Sequence, residues 1–356
     1  MKRITGLNTL RLFAIILIVI YHLWREYLPG GFIAVELFLS LSGFLIGSKL
    51  LLTFKGANKD SFWKFFRSRL AKFYPALIAT IILTLTLGFF ASSDLMTRVR
   101  EHTAASLTFS TNIVEIVNGG TYETQMIPNV FEHLWFLALL MQLYIIGYFF
   151  IWVVMKMDRK YKMGAKRVSF LFLGLAVFSY ILMGLYGGLY GMETRAYFGT
   201  DTHAGAFFLG IALASATMGW SEKFKPVKRK FWSYLTLSTA IGVTVAMSLK
   251  INYSSNLTFS LALPLMAVIT VFMIISVLKM QSEDKPGRVL GALEYMGSAS
   301  FYIYLFHWPL FILLSDLIPL EQWIVNAIVI VSSVVLALLM NKAIMPGFKK
   351  LWGSND

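Results

Sequence analysis

Arg11, His22 and Glu36 are the first residues whose types and spacing can do chemistry. They lie inside or at the edge of two apolar stretches in LRLFAIILIVIYHLWREYLPGGFIAVELFLSLSGFLI, which runs from Leu10 to Ile46. An ionisable group in hydrocarbon costs about 2.5 kcal/mol or more unless it is paired or hydrated, so such groups mark functional regions. Arg11 and His22 are 11 residues apart, about three turns, so on an α-helix they share a face roughly 16 Å apart along the axis. The turn Leu28-Pro29-Gly30-Gly31 then reverses the chain and carries Glu36 back to the depth of His22. A carboxylate beside an imidazole fixes its tautomer and raises its basicity, as an oriented general base requires. Each residue alone has a plainer reading. Arg11 can snorkel to the headgroups, and His22 can be a satisfied structural histidine. Glu36 in a membrane needs a partner.

The elements that must hold these groups are apolar helices. Of the 356 residues, 57% are hydrophobic and 14% charged, against about 25% charged in soluble domains, so lipid is the main solvent. Ten apolar windows are near the length needed to span a bilayer: 12–28, 32–53, 73–92, 133–156, 168–190, 204–219, 232–249, 258–279, 296–315 and 323–342. The expected fold is therefore all-α, a polytopic transmembrane bundle of about ten spans, read as one domain over 1–356 with no soluble domain. Alternate loops collect the basic residues. All but Arg25, Arg98, Arg100, Arg195 and Lys250, of 32 Lys and Arg, fall on the side of the termini, which places both termini in the cytoplasm. The net charge of +14 is thus membrane topology, and no nucleic-acid partner is expected. The first apolar run continues into a second span, so no cleavable signal is expected. The short apolar run Ala104 to Val114 is too short to span and reads as an outer-surface or re-entrant helix.

Several chemistries are excluded. With no cysteine, thiolate nucleophiles, disulfides and Cys-zinc sites fall away. The five histidines are dispersed and form no H-E-x-x-H, so no metal site is expected. There is no P-loop or G-x-G-x-x-G, and no internal repeat of the kind seen in many transporters. His102, in an outer segment, is expected to be solvated. His307, in FHWP, reads as structural or at most as lining a pocket.

The run ITGLNTLRLFAIILIVIYH…LPGGFIAVELFLSLSGFLI resembles the start of the acyltransferase-3 family of membrane acyltransferases, whose signature is Arg-x10-His. FRSRLAKFYPAL (66–77), HLWFLALLMQLY (133–144), YFGTDTHAGAFFLGIALA (197–214) and ASFYIYLFHWPLFIL (299–313) follow in the family's order. YFGTDT is most similar to the Gram-positive enzymes that O-acetylate peptidoglycan. Those commonly carry a C-terminal SGNH-type domain, which is not expected in a chain that stops at Asp356.

The resemblance implies a multi-pass enzyme of the bacterial cytoplasmic membrane. It would move an acyl group, acetyl by preference, from cytoplasmic acyl-CoA to a hydroxyl of an envelope glycan outside. Acetyl-CoA is then a donor substrate, and no cofactor is permanently bound. On this reading His22 is the acyl carrier or general base, Glu36 orients it, and Arg11 captures the donor. Arg67, Arg69 and Lys72 stand where the family has an Arg-x-x-Arg pair and would grip the CoA phosphates, although any cytoplasmic loop collects such residues. A substrate pocket is expected among His133, Trp135, Gln142, Tyr144, Asp201, His203, Tyr304 and His307. The chain departs from the family at Leu140 and Met141, in place of a glutamate pair, at Lys72 in place of arginine, and at His203 in place of arginine. Two other readings share the buried charges: a transporter or flippase of a lipid-linked sugar or small molecule, and an acyl-export component serving a separate outer transferase.

Overall fold

A computed structural model describes residues 4–56, 61–119, 129–282 and 286–351. Among them there are helices and no strands: α1 (Leu7–Leu23), α2 (Val35–Lys55), α3 (Phe62–Gly88), α4 (Val99–Leu107), α5 (Thr111–Asn118), α6 (Trp135–Tyr161), α7 (Gly164–Met183), α8 (Glu193–Phe198), α9 (Thr200–Gly219), α10 (Phe231–Lys250), α11 (Leu263–Lys279), α12 (Arg288–Ser298), α13 (Ser300–Leu317), α14 (Gln322–Leu339) and α15 (Met345–Leu351). Among the described residues nine helical stretches are long and apolar enough to cross a membrane, and α1 is a shorter apolar helix. The all-α, polytopic expectation is met. Phe170, Val177, Phe178 and Ile181 on α7 are each more than half exposed, a surface suited to lipid and costly in water.

Helix limits differ from the apolar windows where polar groups decide the ends. α1 starts five residues before its window because Glu294 accepts from the backbone N–H groups of Gly6 and Thr9 and from the Thr9 hydroxyl. These are orphan donors that a helix start must satisfy. α3 begins well before its apolar window, capped by the Ser61 hydroxyl, which accepts from the Lys64 N–H. Arg67, Arg69 and Lys72 therefore stand on the first turns of a helix, not in a loop.

The chain divides into two compact units, Met1–Asp60 with Gln142–Gly297, and Ser61–Met141 with Ser298–Asp356, the boundary falling inside α6. In the first unit α2 and α9 run parallel. Glu36 meets His203 near their starts, Gly43 lies on Phe207, and Gly47 lies against Ile211 and Ala214. A Cβ at Gly43 would collide with the Phe207 carbonyl, and one at Gly210 with that of Ser40. Small residues spaced by four let two helix backbones touch in lipid. α7 packs antiparallel to α9, with the Ser179 hydroxyl donating to the Asp201 and Thr202 carbonyls and that of Ser169 to Ala212. Ends that strict alternation puts on one side meet here: Thr5 and Gly6 with Gln281 and Glu294, and Gly30 with Ser248.

In the second unit α3 packs on α13, and α13 on α14. The Ser92 hydroxyl and N–H donate to Asp316, joining ends that alternation also puts on one side. α4 and α5 form a hairpin whose tip lies against the middle of α3: the Tyr74 hydroxyl donates to the Leu107 carbonyl (2.5 Å), and Phe109 meets the Tyr74 ring edge-on. Tyr74 is 14 residues from Gly88, about 21 Å along the helix. His102, expected in solvent, is consequently buried (5% exposed) and held by Asn129 and Glu115.

Candidate active site

α2 begins by burying a charge. Glu36 is fully buried in its first turn. One carboxylate oxygen accepts from the Tyr180 hydroxyl at 2.7 Å, and the other lies 2.9 Å from His203 Nε2. This second approach lies off the axis of a directed hydrogen bond, so charge attraction is its main content. His203 Nδ1 is 2.6 Å from the Tyr197 carbonyl oxygen. A carbonyl only accepts, so Nδ1 carries a hydrogen. A neutral imidazole would then turn the Nε2 lone pair on a carboxylate. One further proton must therefore be held by the His203–Glu36 pair.

The local sequence explains why this network can form. Gly205 accepts the Tyr180 ring where any Cβ would clash, so α7 can lay a tyrosine flat across α9 and reach α2. Tyr180 was not foreseen, since its only signal is a polar tip inside the apolar window of α7. The sequence order pairs Glu36 with His22. The partners seen on its two oxygens are His203, expected only as a pocket residue, and Tyr180.

Arg11 and His22 occupy α1 three turns apart, as their spacing requires. The Arg11 guanidinium donates to Asn8 (3.2 Å). His22, half-buried in the last turn, lies against Tyr21 (ring centroids 5.2 Å). From there rings follow in contact: Tyr21 to Phe32 at 5.6 Å, Phe32 to Tyr197 at 5.9 Å, Tyr197 to His203 at 5.1 Å. Tyr253 packs against both Phe32 and Tyr197. One aromatic wall thus joins the two histidines of this unit, and such a wall excludes water and strengthens every charge behind it.

Asp201 lies in the first turn of α9, where Gln142 of α6 meets it. Asp201 pairs with Arg195 (2.6 Å), which also stacks over Tyr186 (4.8 Å). Gln142 accepts from the Thr200 hydroxyl, and Tyr144 packs on Phe207. Two π-helical stretches, Gly184–Leu189 and Thr258–Ala262, meet where Gly187 lies on Phe259. Such stretches recur at functional sites.

The remaining candidates belong to the second unit. Arg67 is exposed; Arg69 and Lys72, three residues apart, are half-buried and lie over the rings of Phe65 and Phe73. His133 donates Nε2–H to the Leu305 carbonyl and lies 5.9 Å from His307 and 5.4 Å from Tyr304. Tyr304 donates to the His133 carbonyl, and Trp135 is buried beside Phe136. The sequence reading missed Glu132, which is wholly buried next to His133. His102 is neutral here: the Asn129 amide donates to its Nδ1 (2.7 Å) and to Glu115 (3.2 Å), and burial keeps its pKa below the ordinary imidazole range.

The protein named Putative O-acetyltransferase SACOL0978, of Staphylococcus aureus strain COL, is 29% identical over 309 residues, which is 86% of this chain and 50% of that protein. O-acetyltransferase OatA of S. aureus strain NCTC 8325 is 27% identical over 317 residues, covering 88% of this chain and 52% of OatA. The chain spans about half the length of the curated relatives it matches. No solved structure matches it. The acyltransferase-3 family model, described as an acyltransferase domain, matches residues 4–342. This multi-pass membrane chain belongs to the acyltransferase-3 family.

Proposed function

We propose that the protein is an O-acetyltransferase of the bacterial cytoplasmic membrane. It takes an acetyl group from acyl-CoA on the cytoplasmic side, where both termini lie, and delivers it to a hydroxyl of an envelope glycan outside. The observation that carries this reading is the buried Glu36–His203–Tyr180 network, joined through an aromatic wall to His22 on the helix that bears Arg11. Both ring nitrogens of His203 are committed, one to a carbonyl and one to Glu36, so acyl handling falls to His22. His22 either attacks the thioester carbonyl and carries the acetyl group, or takes the proton of the attacking hydroxyl. In the first route the C–S bond breaks as the N–acetyl bond forms and the CoA thiolate leaves with the imidazole N–H proton; the glycan hydroxyl then takes the acetyl group from the imidazole, which recovers the hydroxyl's proton. In the second the hydroxyl oxygen bonds the thioester carbon, the C–S bond breaks, and His22 passes the hydroxyl proton to the leaving CoA thiolate. Arg11, about three turns along the same helix, steers the donor. Arg67, Arg69 and Lys72 hold its phosphates as point charges and donors. Glu36, fixed by Tyr180 and His203, sets the electrostatic field at the outer end of the site. The acetyl preference is supported by the names of the relatives.

The test is to incubate purified protein with acetyl-labelled acetyl-CoA and an envelope glycan fraction. Label on ester-linked glycan is expected. Protein that consumes no acetyl-CoA would refute the enzyme reading, and protein that becomes labelled but never passes the label on would refute transfer to glycan.

A further inference from the structure

The turn before α6 buries acceptors for which no donor is found among the described residues. Glu132 is 0% exposed, and among the described residues neither of its carboxylate oxygens has a hydrogen-bond partner. His133, also fully buried, spends Nε2–H on the Leu305 carbonyl, which makes Nδ1 a lone pair, and that atom has no partner either. Nearly all buried polar atoms in folded proteins are satisfied, so three orphaned acceptors on adjacent residues call for an explanation. The surroundings are aromatic: Tyr304 lies against His133 and Phe136, and Trp308 donates to the carbonyl of Asn129, just before the turn. A metal ion is a poor fit, because among the described residues no three His, Cys, Asp or Glu side chains converge on one point. A neutral molecule with several O–H donors and apolar C–H faces fits better. Adjacent hydroxyls can donate to the two oxygens of a carboxylate and a further hydroxyl to an imidazole nitrogen, while aromatic rings take the C–H face.

We propose that Glu132 and His133 form a hydroxyl-binding site for a saccharide, the acceptor side of the reaction. This rests on the glycan acceptor proposed above. Because Glu132 is wholly enclosed, the wall must part as the sugar enters, and Trp308, tied to Asn129, must report that movement.

The experiment titrates the purified full-length protein in nanodiscs with the β-1,4-linked tetramer of N-acetylglucosamine, reading tryptophan fluorescence and binding heat. Saturable binding is expected in the parent. Glu132→Gln, nearly isosteric, should weaken it at least tenfold, since an amide nitrogen cannot accept. Glu132→Leu should abolish binding and raise the unfolding temperature, because an unpaired buried carboxylate has been removed. If the leucine variant fails to fold, the glutamine variant carries the test. Parent protein that does not bind the tetramer, Glu132→Gln with the parent affinity, or displacement of the tetramer by putrescine acting through Glu132 would each overturn the proposal. Tetramer binding lost in Glu132→Gln, in a parent that never turns over acetyl-CoA, would uphold this site and refute the acetyltransferase reading.

Discussion

Removing His203 should expose how much of the first unit depends on one buried pair. In His203→Leu, Glu36 keeps the Tyr180 hydroxyl at 2.7 Å but loses the imidazole at 2.9 Å. Breaking one side of a buried pair costs about 3–5 kcal/mol, since a charge is left without its counterpart. Tyr180→Phe removes one hydrogen bond to a charged group, about 1.5–3 kcal/mol. The informative variant is the double substitution Glu36→Leu with His203→Leu. An apolar replacement of a whole buried pair is often neutral, so the double variant should be more stable than His203→Leu alone. With each single substitution costing about 3–5 kcal/mol and the double near neutral, the double variant should be more stable than the sum of the single effects by about 6 kcal/mol or more. Reversible unfolding in mixed micelles measures each stability, and the four proteins close a double-mutant cycle. Acetyl transfer should be lost in all three variants that lack Glu36 or His203, so activity does not confound the stability reading. A double variant whose destabilisation equals the sum of the singles, within about 0.5 kcal/mol, would refute the paired-charge account and with it the shared proton.

Four further outcomes are expected. His22→Gln keeps polarity but cannot exchange a proton near neutral pH, so transfer should cease while expression is unchanged; near-parent activity would show the histidine to be structural. Lys72→Glu should raise the KM for acetyl-CoA several-fold and Lys72→Arg should be tolerated, as steady-state kinetics at varied donor will show. Cysteines introduced singly into this cysteine-free chain at Lys160 or Lys228 should react with impermeant maleimide only from the cytoplasmic face, and at Glu101 only from outside. His102 has a folded pKa below its unfolded value of about 6.5. Below that value the unfolded chain binds the proton first, so the hairpin's stability is full above about pH 6.5 and falls as pH drops. The protection factors of the α4 and α5 amides, corrected for the intrinsic exchange rate, should therefore fall between pH 7 and 5.

The helical, membrane-crossing character was legible in the sequence because windows of apolar residues near bilayer length have few other outcomes. Arg11 and His22 share α1 because an 11-residue spacing on a helix leaves no alternative. The partner of Glu36 was not legible. Pairing it with His22 used proximity in sequence, whereas α2 finds His203 through the glycine crossing at Gly43 and Gly210, 167 residues further on by helix contact. Tyr180 reaches the same carboxylate across Gly205, and no local pattern marks a tyrosine as a donor to a helix so distant in sequence. His102 was misread for a related reason. Polarity argues for solvent, but Tyr74 draws the hairpin tip to the middle of α3 and takes the histidine down with it.

The cap on α1 carries a consequence for how the protein is made. The carboxylate that satisfies the start of α1 belongs to Glu294, 288 residues beyond Gly6, and Gly297 lies on the Asn8 carbonyl where no side chain fits. During synthesis α1 therefore enters the membrane with its first amides uncapped and waits while nearly all of the first unit is translated. Closure over so long a loop comes late. The helix bearing Arg11 and His22 is then seated only when α12 arrives, so a nascent chain released early holds every residue of the Glu36 network without a fixed donor helix.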